Sequence, residues 1–93
     1  MARVPMESFE EGTELVRVYL AAKLDEARLV EEVLGAEGVE FAVEVEEYAS
    51  PTALGSNQAR RGAGFWIREG ELDRAADALE RGGHVAGLVQ RAR

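Results

Sequence analysis

Two arginines and two glycines stand together at Arg60-Arg61-Gly62-Ala63-Gly64. Glycines let backbone N–H groups approach an anion, and two guanidinium groups supply fork-shaped donors, so Arg60 and Arg61 are candidate contacts for a small-molecule ligand or a partner. No helix follows this Gly-x-Gly, and loop flexibility ahead of a strand accounts for the glycines equally well. A second set, Arg17, Tyr19, Trp66 and Arg68, combines cations with aromatics, the pair that stacks bases in RNA-binding sheets and anchors protein interfaces. Glu44, Glu46 and Glu47 could hold a hard cation, but alternating carboxylates on a strand read better as a solvated face, and no metal is assigned. Nucleophilic catalysis needs a hydroxyl or thiol with a base beside it. The chain has no cysteine, one histidine (His84, after Gly82-Gly83) and five serines and threonines (Ser8, Thr13, Ser50, Thr52, Ser56). The loop after the first strand reads Ala21-Ala22-Lys23, without the glycines and arginine of an acylphosphatase phosphate cradle. No catalytic residue and no cofactor follow from these types, so we read the protein as a non-enzyme.

These groups must be positioned by one small domain of 93 residues. Absence of cysteine excludes disulfides and thiolate metal sites and fits a cytoplasmic location. No apolar run is long enough to span a membrane, and the N-terminus lacks the apolar stretch of a signal peptide. Net charge is −7. Residues 1–50 carry thirteen acids against four bases, and residues 51–93 carry five acids against seven bases. That acidity argues against general binding to nucleic-acid phosphates.

Along the chain, residues 1–13 have no period and read as a mobile tail that Phe9 could anchor; residues 14–90 form the domain. Residues 15–21 predict a strand with Val16, Val18 and Leu20 on one face and Leu15, Arg17, Tyr19 and Ala21 on the other. Residues 24–37 predict a helix whose apolar stripe is Ala27, Val30, Val33 and Leu34, joined by Leu29, stopped by Gly38. Residues 39–47 alternate Val39, Phe41, Val43 and Val45 against Glu40, Ala42, Glu44 and Glu46, the pattern of a half-buried strand. Residues 48–64 read as a long mobile loop. Residues 65–68 predict a strand with Phe65 and Ile67 inward and Trp66 and Arg68 outward. Residues 71–81 predict a second helix on Leu72, Ala75, Ala76 and Leu79, and residues 85–89 a short fourth strand or a frayed tail. The order β-α-β-β-α-(β) predicts an α+β, ferredoxin-like βαββαβ sandwich: an antiparallel sheet with both helices on one face. Parity then places Arg17, Tyr19, Trp66 and Arg68 together on the open face, with the glutamates of the neighbouring strand paired to Arg68.

The runs Leu15-Val-Arg-Val-Tyr-Leu-Ala, Glu26-Ala27, Leu34-x-x-Glu37-Gly38-Val39, Phe65-Trp-Ile-x-Glu69 and Asp73-Arg74-Ala75-x-x-Ala78-Leu79 resemble a small bacterial family of prokaryotic signal-transducing proteins, over residues 14–81. Many of its members carry proline where this chain has Arg68. The resemblance implies a PII-like fold, in which the loop after strand two meets the regulated partner and clefts between the subunits of a trimer bind nucleotide. By position that loop is residues 48–64. The functional expectation is a binding or regulatory module working through protein contact or as a homo-oligomer. A sensor of an anionic metabolite or nucleotide is the alternative, and RNA binding the third.

Overall fold

The computed structural model describes residues 3–51, 57–84 and 87–88, and of residues 48–51 and 57–60 the backbone alone. Leu15–Ala21 forms β1, Leu24–Ala36 α1, Ala42–Pro51 β2, Asn57–Arg68 β3 and Leu72–Arg81 α2, with single 3-10 turns at Met6–Ser8 and Glu69–Glu71. The strands make one antiparallel sheet in the order β1-β3-β2, so the protein is α+β.

Glycines end both helices in the same way. Gly38 takes φ +73° and the Val39 N–H closes back onto the Leu34 carbonyl at 3.0 Å. Gly83 takes φ +81° and the His84 N–H reaches the Leu79 carbonyl at 2.8 Å. A left-handed residue is needed for this closure, and glycine adopts it without a Cβ clash. The chain then returns to the sheet with each helix's apolar stripe facing it. Ala27, Val30 and Leu34 of α1 and Ala75 and Leu79 of α2 join Val18, Phe65 and Ile67 of the sheet in one buried cluster. Phe41 packs there too, its ring centroid 5.6 Å from that of Phe65. Each fully buried Leu, Ile or Phe side chain contributes about 1.5–3 kcal/mol, so this cluster holds the helices to the sheet. Val16 and Val43, expected inside, are half-buried at its margin, and Leu29, expected in the apolar stripe of α1, is 47% exposed because it lies off the Ala27–Val30–Leu34 line.

Three expectations change. β1 does not alternate throughout: its register to β3 slips between Arg17 and Tyr19, so that Arg17 faces Trp66 and Tyr19 faces Phe65. A bulge of this kind puts two residues opposite one and reverses the parity beyond it. Val18, Tyr19 and Ala21 are all buried as a result, and Leu20, expected inward, instead pairs with Gly64. Second, residues 48–64 are not one long loop. β2 and β3 continue their ladder outward through Glu47↔Arg61, Tyr48↔Arg60, Ala49↔Ala59, Ser50↔Gln58 and Pro51↔Asn57, a two-stranded ribbon whose tip, residues 52–56, lies outside the described residues. A ladder is made by backbone hydrogen bonds, which do not require an alternating apolar sequence pattern. Third, Val45, expected inward, is 74% exposed: it sits at the root of the ribbon.

The segment expected as a mobile tail is tied down from Arg3 onward. Val4 N–H donates to the Phe41 carbonyl at 2.8 Å, Phe9 is buried, and the Glu14 carbonyl accepts from Glu69 N–H at 2.9 Å. At the other end, Leu20 N–H donates to the Gly87 carbonyl at 2.8 Å and Leu88 bridges Tyr19 in antiparallel sense. The remainder of the expected fourth strand, residues 85, 86 and 89, lies outside the described residues.

Candidate functional site

On the sheet face away from the helices, β3 presents Gly62, Gly64, Trp66 and Arg68. β2 sets Glu46, Glu44 and Ala42 opposite the first three, and β1 sets Arg17 opposite Trp66 and Leu15 opposite Arg68. Three of the expected residues, Arg17, Trp66 and Arg68, thus come together here. Tyr19 does not. The bulge turns it toward the helices, where it is 1% exposed. Its hydroxyl donates to Glu26 Oε2 at 2.5 Å, while Glu26 Oε1 accepts from the Ala22 N–H at 3.0 Å. Burial, and the hydrogen bond to the Glu26 carboxylate, push the Tyr19 hydroxyl up to about 12. A phenol held neutral in this way is a structural tie, and the expected two-aromatic platform of Tyr19 and Trp66 does not exist.

The centre of the face is instead organised by Glu46, expected among the glutamates paired to Arg68. Its Oε1 takes the ion pair from Arg17 Nη1, and its Oε2 accepts the Trp66 indole N–H at 3.0 Å. Gly64 makes this possible. A Cβ there would fall on the Glu46 carboxylate, with Cδ at 2.7 Å and Arg17 Cδ at 3.2 Å. Trp66 is left half-buried, with its N–H satisfied and part of its ring available. One row further, Arg68 pairs with Glu40 at 2.8 Å and lies over the Phe9 ring at 4.8 Å to the centroid. The expectation that glutamates pair with Arg68 is met by Glu40, which precedes β2; Glu46 goes to Arg17.

Arg61 is on the other side of the ribbon. It lines an apolar notch of about 210 Å³ with Ala21, Ala22, Lys23, Leu24, Ala27, Val45, Gly62 and Ala63. Its guanidinium is 77% exposed and lies 3.8 Å from Glu47. Arg60 occupies the ribbon backbone, and its side chain lies outside the described residues. Among the described residues no group of three His, Asp or Glu could hold a metal ion, and no helix is long and apolar enough to cross a membrane.

Comparison with family models, with curated proteins and with solved structures finds no match.

Proposed function

We propose that this chain is a non-enzymatic binding module that acts through protein contacts on the open sheet face, with another protein or with a second copy. The observation that carries the reading is the half-buried Trp66, held by Glu46 and flanked by Arg17 and Arg68. A rigid indole with satisfied polar groups around it is the composition of an interface anchor. The Tyr19 hydroxyl, pushed up to about 12 and tied to Glu26, is held neutral and is not poised for proton transfer. Glu46 and Glu40 engage the cations Arg17 and Arg68, which disfavours phosphate contact there.

The fold we infer is the ferredoxin-like βαββαβ sandwich. The strand order β1-β3-β2 and the antiparallel Tyr19↔Leu88 bridge on the free side of β1 support it, because a fourth strand belongs there. That topology, with the residues quoted above, is also what supports membership of the prokaryotic signal-transducing family and a regulatory role.

Site-specific photo-crosslinking tests the functional reading. Glu44 is exposed, pairs with Gly64, and stands beside the Glu46–Trp66 contact; Asp73 is exposed on α2. With a photoreactive residue at each position in turn, in the native host, position 44 should give a covalent adduct with a protein, a second copy included, and position 73 should not. No adduct from position 44, or an adduct with RNA, contradicts the proposal.

A further inference from the structure

The ladder between β1 and β3 stops at Ala21↔Ala63, but β3 runs on from Gly62 back to Asn57 with β2 on one side only. Six residues of strand edge, about 20 Å at the usual rise, are therefore without a neighbouring strand among the described residues. β2, at the other edge of the sheet, carries Glu44, Glu46 and Glu47 and ends in Pro51, devices that discourage an added strand. The β3 edge carries no acid and no proline.

The free edge leads directly into the notch. Arg61 and Gly62 belong to both, Ala63 adjoins them where β1 still pairs, and the far wall is the turn from β1 into α1, Ala21 to Leu24. Of the three most exposed large apolar side chains among the described residues, two line this notch: Val45 at 74% and Leu24 at 72%. At about 210 Å³ the space falls below the roughly 300–1,000 Å³ of clefts that enclose small molecules. It suits a protein side chain better than a cofactor. The charged groups lining it are Lys23 and Arg61, in a chain of net charge −7. Lys23 makes no ion pair among the described residues, and the Arg61–Glu47 pair is long and exposed, so both cations are available to a partner. Glu26, the nearest partly buried carboxylate on α1, is committed to Tyr19 and Ala22.

We propose that the β3 edge binds an extended acidic peptide segment of a partner protein by strand addition. Main-chain hydrogen bonds would form along residues 57–62, an aliphatic side chain would seat in the notch between Leu24 and Val45, and flanking acids would meet Lys23 and Arg61. This combines the two elements of peptide recognition at sheet edges, a backbone template and a side-chain pocket. The proposal rests on the reading of the chain as a protein-contact module, but it concerns the ribbon and not the Trp66 face.

The test is selection of a phage-displayed library of random twelve-residue peptides on the full chain, followed by amide-shift mapping of the enriched peptide. The enriched sequences should carry valine, leucine or isoleucine among aspartates and glutamates. Their amide shifts should fall at residues 57–63, 22–24 and 45. Lys23→Glu with Arg61→Glu, both at exposed positions, should weaken binding by about tenfold or more, the scale of two lost charge pairs. No enrichment, enrichment of basic sequences, shifts confined to the Trp66 face, unchanged affinity in the double variant, or a β3 edge already paired to a second copy would each overturn it. Cross-linking at position 44 reads a different surface, so either claim can fail while the other stands.

Discussion

Gly64→Ala isolates the contact that organises the open face. The added methyl occupies the position of the Glu46 carboxylate. Glu46 is the far end of a flexible side chain, so the clash itself is relieved by rotation at little cost. What is lost is the pair of interactions that rotation breaks, the Arg17 ion pair and the Trp66 indole hydrogen bond. A hydrogen bond to a charged group contributes about 1.5–3 kcal/mol when shielded, and an exposed ion pair about 0.2–1 kcal/mol. With the Arg17 and Glu46 side chains 33% and 19% exposed, about 1 kcal/mol for each interaction is reasonable, or about 2 kcal/mol together. Replacing a strand glycine by alanine returns about 0.5–1 kcal/mol through the unfolded chain. The net is a destabilisation of about 1–1.5 kcal/mol, which lowers Tm by about 5–10 °C in a domain of this size. The sign should reverse in a Glu46→Ala background. There the carboxylate is gone, only Arg17 must yield slightly, and Gly64→Ala should raise Tm. Thermal melts of the four proteins of this cycle, with Trp66 emission followed in parallel, measure the coupling. An equal effect of Gly64→Ala in both backgrounds would refute the arrangement.

The other perturbations probe the core side. Gly87→Ala should be the harsher glycine substitution, because its methyl meets the Leu20 carbonyl and the Tyr19 ring, with Cε1 at 2.6 Å; a loss of about 1–3 kcal/mol in denaturant unfolding is expected. Tyr19 makes stability fall with alkalinity. Its hydroxyl ionises near 10 in the unfolded chain but is pushed up to about 12 when folded. Between those values the unfolded state binds fewer protons, so a contribution on the order of 2–3 kcal/mol is complete below pH 10 and is lost as pH rises toward 12. Tyr19→Phe should flatten that part of the stability profile, and a profile identical to wild type would show that Tyr19 is not the group responsible.

Most of the scaffold could be read from residue types. The helix stripes, the two glycine stops and the alternation of Phe41, Val43, Phe65 and Ile67 encode which side is buried, because each has a polar counterpart on the opposite phase. The β1 bulge is not encoded in this way. From Val18 to Ala21 every residue is apolar, so both phases look alike and a slip leaves no trace in the pattern. That single slip moved Tyr19 from the expected site into the core. The ribbon was hidden for the opposite reason. Ser50, Pro51, Asn57 and Gly62 gave the composition of a loop while the backbone carried a ladder. Glu46 was legible as a charge of the right parity. Its role needed the register, which alone brings it onto Gly64 between Arg17 and Trp66. Lys23, Leu24 and Val45 meet Arg61 only because the ribbon root folds against the start of α1, a juxtaposition no local pattern records.

The most direct test of the central claim is acrylamide quenching of Trp66, the chain's one tryptophan, in dilute and in concentrated solution and beside any protein cross-linked at position 44. The account predicts partial access in the dilute chain and marked protection once a second copy or the cross-linked partner covers the open face, with the protection abolished when Arg17 and Arg68 are both replaced by glutamate. A Trp66 fully shielded at every dilution, or one equally accessible with and without the cross-linked partner, would contradict it.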